Sequence, residues 1–284
     1  MNPEPKVGDE ASQPSRPTPW SGRTRGGYFG NWFFVQLIRL LGVRWAYGWL
    51  VFVAAYFTLA SPRAFRCSVD YLRRVLGPRA FYVWPFLVYR HFFSFGVTLL
   101  DRFAVIMGCS RVTCRYEGEE MLREQLAQGR GILLVGAHFG NWEVGGHLLA
   151  RLGKPVNLVV LEKEREQIRR LFDQALEARQ FRLLTTDDHP LRSVAIVAAL
   201  KRGEIVALHG DRAIGRGDVP VPFLGGIARF PAGALHLAAA GRAPIFQVFV
   251  VRERLGAYRF FSYPPQFVDK ATLRQQPDAP KRYA

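Results

Sequence analysis

Acidic residues are scarce in this chain: 23 Asp and Glu stand against 39 Lys and Arg, for a formal net charge of +16. That imbalance excludes an electrostatically indifferent surface and calls for an anionic partner, either nucleic acid or a membrane. Cysteine is scarce too. Cys67, Cys109 and Cys114 form no C-x-x-C pair, and an odd count without a secretory signal argues against a disulfide framework and for a reducing compartment. The first residues lack the apolar core of a signal peptide. No G-x-S-x-G elbow is present, so a serine acyl-enzyme is not indicated. P-loop, H-E-x-x-H and dinucleotide-binding fingerprints are missing from any supporting context. His91, His147, His189, His209 and His236 show no metal-ligand spacing, so no metal site and no bound cofactor is expected.

Apolar material, by contrast, is plentiful. With 49% hydrophobic and 13% aromatic residues, the chain can fill the core of one large domain, or of a domain with an appendage. Residues 1–27 are rich in Pro, Ser, Gly and charge, the composition of a disordered arm. Residues 28–115 read as a helical, membrane-associated region. An aromatic segment, Tyr28 to Leu41, precedes a strongly apolar run from Trp45 to Ala60. As a helix that run is about 24 Å long, against ~30 Å of hydrocarbon core. Extension back through Leu40-Leu41-Gly42-Val43 takes in Arg44, so a span and an interfacial anchor both remain open.

Arg63, Arg66, Arg73, Arg74 and Arg79 follow the run. If it spans, these positive charges place everything after it in the cytoplasm. Trp32, Trp45, Trp49 and Trp84 suit the headgroup level, although any one of them could fill a helical core instead. Charge alone would support a nucleic-acid-binding protein. The combined basic and aromatic segment favours a lipid bilayer as partner and no nucleic acid.

From 116 to 284 the pattern alternates between short apolar runs and helical stretches. Strands are expected at Ile132–Ala137, Pro155–Leu161, Glu204–His209 and Pro244–Val251, with a later, edge-type strand at Tyr258–Tyr263. Helices are expected near 142–152, 163–180, 190–202 and 231–241. The fold class is therefore α/β, a mostly parallel sheet flanked by helices.

The densest chemistry follows the first of those strands: His138-Phe139-Gly140-Asn141-Trp142-Glu143. His138 falls in the turn between a strand's carboxyl end and a helix's amino end, where open α/β sheets bind ligands. A neutral imidazole there can take a proton from an attacking hydroxyl. Gly140 allows close backbone approach, and Asn141 is placed as N-cap. Glu143, in the first turn, could orient the imidazole, and N–H groups of the helix end could hold an oxyanion. Gly210-Asp211-Arg212 also follows a buried strand and should face the same edge. Asp211 therefore competes with Glu143 for His138, and spacing does not choose between them. Arg212 could hold a phosphate or carboxylate. His209, next but one to Asp211, is worth watching. Val219–Gly226 reads as a Pro/Gly loop leading into a helix near Pro231, and Glu162–Arg170 as a solvated helix start able to meet an anionic headgroup.

The segment His138–Glu143 resembles the H-x4-D/E signature of glycerolipid-type acyltransferases, and more closely the bacterial lipid A biosynthesis (lauroyl/myristoyl) acyltransferase family. Matching stretches recur in order at Gly210-Asp211-Arg212, Val221–Gly225, Phe230–Gly233 and Ala243-Pro244-Ile245. Trp20–Gly27 and Leu100-Asp101-Arg102-Phe103 resemble a non-classical subgroup. The resemblance implies a glycerolipid acyltransferase-like core. It also implies transfer of a fatty acyl group from an acyl carrier protein or coenzyme A thioester to a hydroxyl of a lipid or glycolipid. His138 would be the base with Glu143 or Asp211, and Gly140, Asn141, Arg212, Phe223 and Arg229 would meet substrate. A catalytically silent scaffold of the same fold is the alternative. Family members usually continue with a further helix and a Trp-containing end beyond the point where this chain reaches Lys281–Ala284, so the resemblance implies either a truncated sequence or one lacking part of the acceptor surface.

Overall fold

The computed structural model describes residues 27–109, 112–160, 181–185, 190–212, 218–269 and 273. Residues 1–26 of the arm expected at 1–27, the helix at 163–180, the Glu162–Arg170 stretch and the chain end at 274–284 lie outside them, and Gly27 begins a helix instead.

Four helices come first: α1 (Gly27–Leu41), α2 (Val43–Ala60), α3 (Pro62–Leu76) and α4 (Trp84–Ile106), the last entered through a 3-10 turn at Phe81–Val83. Gly42 explains the division of the first two. Its φ of 87° is left-handed, so α1 ends there and Leu40-Leu41 cannot extend α2 as one straight rod. Ile38, Ala46, Leu50, Val97, Leu100 and Ala104 pack together across α1, α2 and α4. Gly96 lets α4 close on α2, because a Cβ there would meet Leu50 at 2.4 Å.

Most of the remaining apolar surface of these helices faces outward. Trp32, Trp45 and Trp49 are exposed, as are Phe29, Phe52 and Leu59, whereas Trp84 is buried and belongs to the core rather than to a headgroup belt. Two stretches, Val43–Ala60 and Phe81–Val105, are long and apolar enough to cross a membrane. The sequence pattern pointed to the first only, since Arg90, His91, Asp101 and Arg102 interrupt the second.

The remainder is α/β. A seven-stranded sheet has the order β1-β9-β8-β2-β5-β3-β4. Its strands are β1 (Thr113–Glu117), β2 (Ile132–Gly136), β3 (Val156–Val160), β4 (Phe181–Thr185), β5 (Ile205–His209), β8 (Ile245–Arg254) and β9 (Ala257–Ser262). All neighbours pair in parallel except β8 with β9. Helices α5 (Glu119–Ala127) and α6 (Trp142–Leu149) cover one face, with Leu126, Leu134, Val144, Ile205, Phe246 and Tyr258 in a common core. On the other face α7 (Pro190–Lys201) and α8 (Gly233–Gly241) pack against Leu133, Val206 and Ile245. The sheet begins at Thr113, ahead of the expected boundary, and α6 gives way to a 3-10 turn at Ala150–Leu152.

One element corrects the sequence reading. Val219–Gly226 is not a loop before a helix at Pro231. It belongs to an antiparallel hairpin, β6 (Asp218–Phe223) with β7 (Gly226–Pro231), and α8 starts two residues later. Pro220 and Pro222 disguised it, because proline removes ladder donors and argues against a central strand. They alternate along a strand whose other long edge is unpaired, so both missing N–H groups face away from β7.

Candidate functional site

The site follows from strand register. β2 and β5 are adjacent and parallel, with Gly136 opposite His209. Two residues beyond each strand end, the chain places His138 opposite Asp211. The Asp211 carboxylate engages His138 with both oxygens: Oδ2 accepts the His138 backbone N–H at 2.7 Å, and Oδ1 lies 2.8 Å from ring Nδ1. Gly210 N–H donates to Gly136 O at 2.9 Å and ties the two turns together. Burial works against the charged form of Asp211, but the two hydrogen bonds from His138 outweigh it, so its carboxyl titrates below the usual range. An ionised carboxylate on Nδ1 fixes the proton there and leaves Nε2 as the lone-pair nitrogen.

Of the two carboxylates the sequence offered, Asp211 is bonded to His138. Glu143 sits in the first turn of α6, and its side chain lies outside the described residues.

Beneath His138 lies His209, the rings 4.2 Å apart between centroids, with Trp142 set edge-on to His209 at 4.6 Å. His209 is pushed down to about 4, first by burial and then by the neighbouring His138. It is therefore neutral at pH 7 and adds no charge under the His138 ring. Parity along β5 offered a signal for this: residues 205, 207 and 209 point to the α6 face, toward the site.

The loop between β2 and α6 is tied to β8 through Gly140 and Asn141, two of the residues expected to meet substrate. Gly140 has φ 76° and bridges to Val250, where a Cβ would stand 2.0 Å from the Val250 carbonyl oxygen. The close approach it permits is thus to β8. Asn141 is 3% exposed, and its polar atoms are engaged within the protein. Its backbone N–H donates to Val250 O, its Oδ1 accepts from Val144 N–H as an N-cap, and its Nδ2 donates to Thr98 O and to Tyr258 Oη.

Tyr258 in turn donates to the buried carboxylate of Asp101, which also accepts from Tyr47. One buried network therefore runs from α2 and α4 to the cap of α6. Arg252 adds a second tie, donating to Ser94 Oγ at 2.7 Å. None of these roles was visible from spacing, since the partners lie 43 to 158 positions apart.

His138 and Arg212 line one cavity of about 230 Å³, walled by Leu134, Leu149, Leu158, Val160, Ala207 and Phe249 among others. Its walls are almost wholly apolar and wrap around the carboxyl edge of the sheet. Phe223 and Arg229 are not among its lining. Phe223 stands at the hairpin tip, edge-on to Phe230, and Arg229 donates to Asp218 O within the hairpin. Among the described residues no group of three or more His, Cys, Asp or Glu could hold a metal.

Fold and site together define a class: an α/β protein with a carboxylate-oriented histidine at the carboxyl edge of a parallel sheet, opening on an apolar cavity. The family is more particular. Residues 23–275 match the model of the bacterial lipid A biosynthesis acyltransferases, and the chain belongs to that family. A phosphatidylinositol mannoside acyltransferase of Mycolicibacterium smegmatis is 31% identical over 125 residues, covering 43% of this chain and 41% of that protein. The similarity thus spans about two fifths of that relative's length.

Proposed function

We propose that this protein moves a fatty acyl group from an acyl thioester to a hydroxyl of a membrane-bound lipid or glycolipid, with His138 as general base. The observation that carries the reading is the two-point grip of Asp211 on His138 at the mouth of an apolar cavity. The acceptor hydroxyl gives its proton to His138 Nε2 as its oxygen attacks the thioester carbonyl carbon. Asp211 stabilises the imidazolium that forms. Collapse of the tetrahedral adduct breaks the C–S bond, and the imidazolium returns the proton to the departing thiolate. No covalent enzyme intermediate is needed.

The cavity walls suit the acyl chain, whose burial there removes apolar surface from water. Arg212 lines the same cavity and brings positive charge to the oxyanion or to an anionic headgroup. Two N–H groups at the start of α6 are already committed, those of Asn141 and Val144. The similarity to an enzyme named for a phosphatidylinositol mannoside supports a glycolipid acceptor. The basic surface suits an acidic acyl carrier protein as donor, with coenzyme A thioesters as the other source. The outward-facing apolar helices support residence at the inner membrane, with the α/β domain on the cytoplasmic side.

Purified protein in detergent, given an acyl carrier protein or coenzyme A thioester and a lipid extract, tests the reading by mass spectrometry of the lipids. An acylated lipid that is made by the wild type and lost in His138→Ala is the expected result. Equal product from both would remove His138 as the base, and no product from the wild type would leave a scaffold of the same fold.

A further inference from the structure

The hairpin β6–β7 ends in a two-residue turn, because Phe223 pairs with Gly226 across Leu224-Gly225. Leu224 has φ 47° and Gly225 φ 72°, the left-handed pair of a type I′ turn. Asn, Asp or Gly occupies the first of these positions without strain, whereas a leucine there is held in a conformation its Cβ opposes. The strain is not matched by full burial of the tip. Phe223, Leu224 and Ile227 are 53%, 37% and 71% exposed. A strained, partly solvent-facing apolar tip on a separate two-stranded hairpin has the form of a wedge rather than of a core element.

The surroundings of the tip supply charge. Arg74, in the last turn of α3, donates to Leu224 O at 3.4 Å and lies 3.3 Å from where a Cβ of Gly226 would be. One residue earlier, Arg73 places its guanidinium 5.2 Å over the Trp84 ring at the start of α4. Phe81 and Tyr82, just ahead of Trp84, are 85% and 72% exposed. The arginine end of α3 therefore sits between two exposed aromatic and aliphatic groups, with Arg63 and Arg66 exposed further along the helix.

From this the structure assigns the hairpin tip as a second membrane contact: Phe223, Leu224 and Ile227 enter the headgroup region of an anionic bilayer while Arg73 and Arg74 pair with lipid phosphates. Apolar side chains rimmed by arginine are the composition that binds an anionic interface. A convex two-stranded tip enters such an interface readily and offers little flat area to a folded protein. The contact goes beyond the acyl transfer proposed above, and needs only that the chain meet a bilayer.

A site-specific fluorophore tests it on the full chain. Cys67→Ser, Cys109→Ser and Cys114→Ala remove the native thiols, and Ile227→Cys carries an environment-sensitive dye. Arg130→Cys, in the exposed turn at the amino end of β2, is the control. In vesicles of phosphatidylcholine with phosphatidylglycerol, the dye at 227 should shift to the blue. Headgroup-level nitroxide lipids should quench it several-fold more than the dye at 130. Equal quenching at both positions overturns the assignment, as does a shift that acidic acyl carrier protein produces and vesicles do not. Arg74→Glu should reduce quenching at 227 in anionic vesicles, and an unchanged signal removes the charge pairing.

Leu224→Asn should raise Tm by a few degrees while diminishing immersion. A lowered Tm would instead make Leu224 a structural residue and sink the wedge. His138→Ala in the labelled chain should leave immersion intact while transfer is lost; in the chain that keeps His138, immersion without acyl transfer defeats the proposed activity alone. Transfer without immersion defeats the wedge alone.

Discussion

Asp211 holds His138 through both of its carboxylate oxygens, one on the backbone N–H and one on ring Nδ1. The pairing is a consequence of the β2–β5 register, in which each partner stands two residues past its strand end. Asp211→Asn keeps the size of the side chain but loses the charge and the guarantee of the Nδ1–H tautomer. We predict that it lowers kcat by ~10²–10⁴-fold with little change in KM, the scale of a lost general base. Steady-state acyl transfer with saturating thioester measures it, and a variant within twofold of wild type would make the pair structural.

Stability should depend on pH through His209. Its folded value near 4 lies below the ordinary 6.5, so between those values the unfolded chain binds the extra proton and stability rises with pH. The contribution is complete above pH 6.5 and is lost as pH falls toward 4, by up to ~3 kcal/mol for a side chain this buried. Asp211 is also depressed, and its contribution disappears only at lower pH, as the carboxylate itself protonates. Thermal unfolding across pH 4.5–6.5 in detergent should show the slope for wild type and a flatter one for His209→Gln.

Gly140→Ala should be severe. The left-handed φ is unfavourable for alanine, and the new Cβ would stand 2.0 Å from the Val250 carbonyl oxygen. We expect a loss of more than ~2 kcal/mol together with loss of activity, because the loop carrying His138 must move away from β8. A Tm and an activity both near wild type would contradict the packing described.

Asp101 accepts from Tyr47 and Tyr258, and Tyr258 Oη accepts from Asn141. Asp101→Ala leaves buried hydroxyls without an acceptor, at a cost of about 3 kcal/mol. It also loosens the cap of α6 from α4. Asp101→Asn retains one acceptor oxygen and should recover part of the stability. Equal Tm for both variants would show that the network contributes little.

Much of the α/β half was legible in the chain. Ile132–Ala137, Glu204–His209 and Pro244–Val251 read as buried strands because a parallel sheet covered on both faces demands unbroken apolar runs. The edge elements were not legible. β1 and β4 carry Arg115, Glu117 and Arg182 among their apolar residues, and the prolines of β6 hid the hairpin. The amino-terminal helices showed one apolar run clearly and concealed the second behind Asp101, whose side chain accepts from tyrosines elsewhere in the fold.

By itself, the sequence determined that a histidine would stand at the end of a strand and a carboxylate near it, because apolar runs and turn residues act locally. Which carboxylate it would be was a tertiary decision. Only the adjacency of β2 and β5 in the sheet brings position 211 to position 138, and chain spacing carries no information about strand order. The same holds for Asn141, a residue with the right chemistry for substrate that the packing of α4 and β9 turns into an internal bolt.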